Sequence, residues 1–184
     1  TVVRFPKGAV DSEFDAVRRT ADGVDVLREA AHRDVLIVSV GALARLSLQV
    51  AEMLAAQGIG ATVVDPRWVV PVPGSVVELA REHRLVVSIE DGVRVGGIGT
   101  RIRQNLRDAG VDTAVTELGL PDEFLSHASR AQIFESVGLT AKKISLDVVD
   151  QVLGNRIPIA RPLEDPTVSA PAGLLSHGMH NAAD

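Results

Sequence analysis

Two cations at one turn offer the most direct chemistry in this sequence. Arg4-Phe5-Pro6-Lys7-Gly8 closes a short β-prone run with a guanidinium and an ammonium, and Pro6 and Gly8 fix the turn that follows. Such a turn can hold Lys7, with Arg4 beside it, at a set distance from a phosphate. A plain surface turn has the same composition, so the residues leave both readings open.

A glycine-rich stretch, Gly92 to Gly99, lies between an apolar run and an amphipathic one, where backbone N–H groups can cradle a phosphate. The third glycine of a dinucleotide fingerprint would fall at Ile102, however, and Glu90 and Asp91 would repel an anion. Gly96, Gly97 and Gly99 are therefore read as permitting close packing beside an interface. Glu90 and Asp91 are adjacent, so in extended chain they point to opposite sides and do not form an acid–base pair. A salt-bridged turn is the expectation there. Arg67 and Trp68 follow a strand-like run at the point where α/β sheets present ligands, but they equally make an interface anchor, which is the favoured reading.

The five histidines add little. His177 and His180 are close enough for a weak metal site but sit in a Pro-rich segment without a supporting shell, and His127 reads as a surface hydrogen-bonding group. No catalytic residue and no metal ligand is assigned. The chain has no cysteine, which removes thiolate chemistry and suits a reducing cytoplasm.

These groups need a scaffold, and the hydrophobic pattern supplies one. Val24–Arg28 and Val35–Val40 are β-prone runs too close for a parallel crossover, so a hairpin and one antiparallel strand are expected. Leu43, Leu46, Val50, Met53 and Leu54 recur at helical spacing, with Gly58 as a cap. Ala61–Val64, Leu85–Ile89 and Thr113–Leu118 are further strands. Ser75 is placed to cap a helix through Val76, Leu79 and Ala80, and helices are also expected at Ile102–Leu106, 131–137 and 141–153. Continuous apolar strands alternating with amphipathic helices predict a three-layer α/β/α sandwich, with a mostly parallel sheet of about five strands, one antiparallel. The expected boundaries are a strand end at 1–10, a linker at 11–23, the domain at 24–154 and a Pro-rich, disordered tail at 155–184.

Composition narrows the function classes. A formal charge of −5 and 3% aromatic residues argue against nucleic acid as partner. The longest apolar run, Val35–Ala44, stops at Arg45, far short of the roughly 20 residues that cross a bilayer. No export signal is legible. The absence of an initiator Met suggests that the true N-terminus lies upstream.

Several of these segments together resemble one family, the 1-deoxy-D-xylulose-5-phosphate synthases. Arg4-Phe5-Pro6-Lys7-Gly8 resembles the R-[YF]-P-[RK]-G segment that ends their pyrimidine-binding domain. Asp65-Pro66-Arg67-Trp68-Val69, the stretch from Glu90-Asp91 to Gly99, and Gly119-Leu120-Pro121-Asp122-Glu123-Phe124 with Ser129-Arg130 resemble segments of their transketolase-type last domain. The likeness runs from about Thr1 to Leu153, with Val70 where many members have Lys, Ala128 where Gly is common, and Lys7 where many have Arg. It implies the C-terminal part of a cytoplasmic, homodimeric transferase. That enzyme joins pyruvate and glyceraldehyde 3-phosphate, with loss of CO2, on the way to isoprenoids and thiamine. Its thiamine diphosphate and Mg²⁺ are held by upstream domains, so this chain alone is expected to be inert, with Lys7 meeting the acceptor phosphate. The alternatives are the equivalent domain of another transketolase-like or 2-oxo-acid dehydrogenase enzyme, a free-standing nucleotide-binding module, or a dimerisation domain.

Overall fold

Strand β3, Val35–Ser39, shows why the chain forms three layers: all five of its residues are buried, so it has no solvent face. Val35 and Ile37 enter one hydrophobic cluster and Leu36 and Val38 enter a second, as the alternation of side chains along a strand requires. Apolar residues are thus needed at every position, and the strand reads as a continuous run.

The computed structural model describes residues 15–154. In chain order these form β1 (Arg18–Arg19), β2 (Asp25–Arg28), β3, α1 (Ala44–Ala55), β4 (Ala61–Asp65), α2 (Gly74–Glu82), β5 (Leu85–Val93), α3 (Ile98–Asp108), β6 (Ala114–Leu120), α4 (Arg130–Ser136) and α5 (Ala141–Leu153). The six strands lie in the order β1-β2-β4-β3-β5-β6. β4, β3, β5 and β6 run parallel, and β2 runs against β4. Val50, Leu54, Ile144 and Val148 of α1 and α5 cover one face, while Val76, Ala80, Ile102 and Leu106 of α2 and α3 cover the other. The α/β/α sandwich with one reversed strand is as the pattern predicts.

Four local expectations change. β2 and β3 are not a hairpin, because β4 lies between them and takes β2 as its antiparallel neighbour. The short connection instead passes over the start of β4. Gly60 makes room for it: a Cβ there would lie 2.0 Å from the His32 carbonyl oxygen, and the Gly60 N–H donates to Asp34 Oδ2 at 2.9 Å. The segment read as a linker contains β1, an added edge strand paired with β2 through Arg18↔Val26 and Arg19↔Asp25. Ion pairs Arg18–Glu29 and Arg19–Asp25 flank that pairing.

Ser75 does not cap α2 with its hydroxyl. Pro73 stands at the cap position, and Asp22, from the turn between β1 and β2, accepts the Ser75 N–H at 2.9 Å. Thr20 donates its hydroxyl to the same carboxylate at 2.6 Å. Along α1 the buried stripe is Ala44, Ser47, Val50, Ala51 and Leu54, whereas Met53 is exposed. Arg4, Lys7, His177, His180 and the Pro-rich tail lie outside the described residues.

Candidate functional site

Because β3 to β6 are parallel, the segments after β4, β5 and β6 all emerge at the carboxyl edge of the sheet, where open α/β sheets carry their function. Arg67, Trp68, Glu90 and the glycines singled out in the sequence all belong to this edge.

α3 begins directly after the glycine loop, with Gly97 at its N-cap, no side-chain cap bond from that residue, and no acidic residue in its first turn. Its unpaired N–H groups attract negative charge. Glu90 supplies it from within the chain: Ile98 N–H donates to Oε2 at 3.1 Å and Gly99 N–H donates to Oε1 at 3.1 Å. Only 6% of Glu90 is exposed. The phosphate-cradle geometry is therefore present, and a carboxylate of the protein fills it.

The glycines are required by proximity. A Cβ on Gly97 would lie 2.4 Å from Glu90 Oε1, and one on Gly99 would lie 2.3 Å from Ser88 Oγ and 2.7 Å from Glu117 Cγ. Gly119 of β6 has the Gly92 carbonyl 2.8 Å from its ideal Cβ. Gly96 is the residue of the loop that needs its conformational freedom, with φ at 73°. β5 runs on to Val93, so the loop proper is short.

Asp91 takes a separate role, as alternation along the strand requires. Its Oδ2 accepts from Arg130 at 3.0 Å (Nε) and 2.9 Å (Nη2), and the Arg130 guanidinium stacks 4.3 Å from the centre of the Phe134 ring. The Ser129-Arg130 start of α4 is thereby tied to β5. Ser129 and Gln132 close a capping box on α4.

Arg67 is partly used inside the fold. Its φ of 57° places it in the left-handed region, its N–H donates to Asp65 Oδ1 at 2.8 Å, and its guanidinium lies 3.7 Å from Asp25. Burial pushes the Asp65 carboxyl above the usual range, partly offset by that backbone bond. Asp25 is held below its usual range, chiefly by its hydrogen bond from Arg19. This turn projects Trp68 outward, 79% exposed. Phe124 is fully exposed after β6, and Val70, Val93 and Val95 are also exposed. Of the described aromatic side chains only Phe134 packs on the core. His127 is exposed as well.

A cleft of about 510 Å³ opens between the end of β6 and α4–α5, lined by Arg94, Glu117, Gly119, Glu123 and Lys143 among others. Its charges are largely compensated within the chain: Lys143 pairs with Asp147, and Glu117 pairs with Arg103 at 3.0 Å. Among the described residues no three His, Asp or Glu side chains converge as a metal site. The capping role of Glu90 and that of Asp22 escape a linear reading, since the usual cap lies within three residues of the helix start, whereas Glu90 precedes Ile98 by eight.

Comparison with other proteins agrees with this architecture. Residues 23–144 match the family model described as transketolase, C-terminal domain. The chain is 69% identical over 171 residues to a 1-deoxy-D-xylulose-5-phosphate synthase of Clavibacter sepedonicus, covering 93% of this chain and 26% of that protein. It is 68% identical over 163 residues to a protein of the same name from Leifsonia xyli subsp. xyli, covering 89% and 25%. For one from Streptomyces griseus the identity is 53% over 154 residues, covering 83% and 24%. The chain thus spans about a quarter of the length of these relatives. Among solved structures, a split-gene transketolase described as an inactive β4 tetramer superposes with a TM-score of 0.64 at 30% identity, over 74% of this chain and 44% of that one. A transketolase mutant from Pichia stipitis shares the fold, with a TM-score of 0.51 at 17% identity, over 72% of this chain and 18% of the other. With the parallel sheet, the glycine loop and more than half of its length matched by one model, the chain belongs to the transketolase C-terminal domain family.

Proposed function

We propose that this chain is the C-terminal part of a thiamine diphosphate-dependent 1-deoxy-D-xylulose-5-phosphate synthase, a cytoplasmic homodimer that converts pyruvate and glyceraldehyde 3-phosphate to 1-deoxy-D-xylulose 5-phosphate and CO2. The observation that carries this reading is the 53–69% identity, over 83–93% of the chain, to proteins bearing that name. Identity at that level across a whole domain supports a shared parent enzyme over a generic fold likeness.

The described residues do not themselves fit the cofactor. A diphosphate with Mg²⁺ needs anion donors and a carboxylate cluster, but the N–H groups at the start of α3 are taken by Glu90, and no metal-binding cluster occurs among the described residues. Thiamine diphosphate and Mg²⁺ belong, on this reading, to the upstream three quarters of the enzyme. Once bound, the cofactor supplies the carbanion that decarboxylates pyruvate. The occupied α3 terminus also weighs against a nucleotide-binding module. Lys7, with Arg4, is assigned to the phosphate of the acceptor. Residues 1–10 are assigned to the end of the pyrimidine-binding domain, 11–23 to a connection that contains β1, 24–154 to the transketolase C-terminal domain and 155–184 to a tail.

Two assays test the reading. A longer polypeptide carrying this chain and its upstream domains is expected to form deoxyxylulose phosphate, whereas the 184-residue chain with thiamine diphosphate and Mg²⁺ forms none. In the longer enzyme Lys7→Ala raises the KM for glyceraldehyde 3-phosphate and leaves pyruvate binding nearly unchanged. Turnover by the isolated chain, or an unchanged acceptor KM, refutes the corresponding assignment.

A further inference from the structure

From Asp112 to Gly138 no residue is fully buried, the longest such run among the described residues. Its first part, β6, is held by the ladder with β5, but that support ends at Leu120. Residues 121–138 follow as a loop, α4 and the turn at Gly138. α4 has seven residues, none of them buried, and a helix that short is marginal in water without outside support. Phe134 and Val137, both half-buried, supply the run's packing on the core. A segment with so few buried apolar contacts opens at a lower free energy than the sheet.

One polar tie secures it. Among the described residues, the Arg130 guanidinium on Asp91 is the single side-chain hydrogen bond or ion pair between 121–138 and the rest of the chain. Phe134, one turn along the same helix, stacks on that guanidinium at 4.3 Å and fixes its direction. The flanks are suited to be hinges. Before the run, Gly119 has the Gly92 carbonyl oxygen 2.8 Å from its ideal Cβ, so the end of β6 stays close against β5, and Pro121 follows. After α4, Gly138 takes a φ of 76°, and Leu139 is buried again.

The run also has something to cover. Pro121, Glu123, Ser136 and Val137 line the cleft of about 510 Å³, and Gly119 of β6 and Lys143 of α5 help to complete it. We infer that residues 121–138 are a hinged strap across this cleft, and that the Asp91–Arg130 pair is the latch that holds it closed. When the pair parts, the strap swings on Pro121 and Gly138 and the cleft opens, while the sheet and α5 keep their packing. The inference stands independently of the proposed function.

Amide hydrogen exchange of the 184-residue chain, read peptide by peptide, tests the hinge and the latch. In the unsubstituted chain, residues 130–137 are expected to exchange at least about tenfold faster than β3, whose residues are all buried. Equal protection of the two means that the strap opens only with the whole domain, and it overturns the inference. Asp91→Ala takes away the partner and leaves Arg130 on Phe134. It is expected to speed exchange over 130–137 by about twofold to fivefold, the range of an exposed ion pair, with β3 unchanged. An unchanged rate over 130–137 overturns the latch. So does a rise shared equally by β3, which reports a loss of global stability. If Asp91→Ala does not fold, the unsubstituted chain is compared from about 0.05 to 1 M sodium chloride, which screens the pair. Faster exchange of 130–137 relative to β3 is then expected, and no relative change is fatal.

Discussion

Glu90 and Gly97 are coupled by geometry, and a double-mutant cycle measures the coupling. Glu90→Ala removes the acceptor of the Ile98 and Gly99 N–H groups. A buried donor left unpaired costs about 1–3 kcal/mol. Gly99 is buried, while Ile98 is half-buried and can regain water, so about 2–4 kcal/mol is expected, much of the stability of a small domain. Gly97→Ala puts a methyl group 2.4 and 2.6 Å from the two Glu90 oxygens. Displacing that carboxylate costs about 1–3 kcal/mol, although the backbone, with φ at −73°, suits alanine. Once Glu90 is alanine the obstruction is gone, and Gly97→Ala is expected to cost under about 0.5 kcal/mol. The double variant is therefore more stable than the two single losses added together, by about 0.5–3 kcal/mol. Urea unfolding followed by far-UV circular dichroism is the assay, since Trp68 is too exposed to report on the core. With a slope of about 2 kcal/mol per M, Glu90→Ala lowers the midpoint by about 1–2 M. Additive losses would show that Gly97 does not touch the cap and would refute this account of the glycine loop.

Asp22 is held to about 2, from 3.8, first by its hydrogen bond from Thr20 and then by those from Ser75. A depressed carboxyl stabilises the fold above its unfolded value and loses that contribution as pH falls from about 4 towards 2. Asp22→Ala is expected to cost about 1 kcal/mol near neutral pH, as for a lost N-cap, and to reduce the acid-limb slope in pH-dependent urea unfolding, with Asp25 still contributing. The group is exposed, so the loss stays at that scale. His83 acts in the same direction at higher pH. Burial lowers its pKa below the usual 6.5, against the Leu79 carbonyl that meets Nδ1 at 2.7 Å and raises it. The unfolded chain therefore binds this proton more tightly, and stability present above pH 6.5 declines as pH falls below it. His83→Gln is expected to flatten that decline, and an unchanged slope between pH 5 and 7 would remove His83 from the account.

The layers of this protein are legible in its strands because burial on both faces leaves no choice of residue type. Val35–Val38 and Leu85–Ile89 are apolar at nearly every position, and the positions of α1, α2, α3 and α5 follow from helical spacing. The segments that resemble one family were likewise local strings, and they point to the family that the comparison supports. Strand neighbours are not local. β2 and β3 are adjacent in sequence, yet β4 separates them, because pairing is chosen by the whole sheet and because Gly60 lets the connection pass.

The site divides in the same way. The sequence alone determined that a glycine loop precedes a helix and that an acidic pair precedes the loop, since both are runs of neighbouring residues. It is packing in three dimensions that turns Glu90 into the start of α3, pairs Asp91 with Arg130 and brings Asp22 to cap a helix more than fifty residues away. Hydrogen bonds of this kind join atoms distant along the chain, and their partners are selected by the packing that brings the elements together.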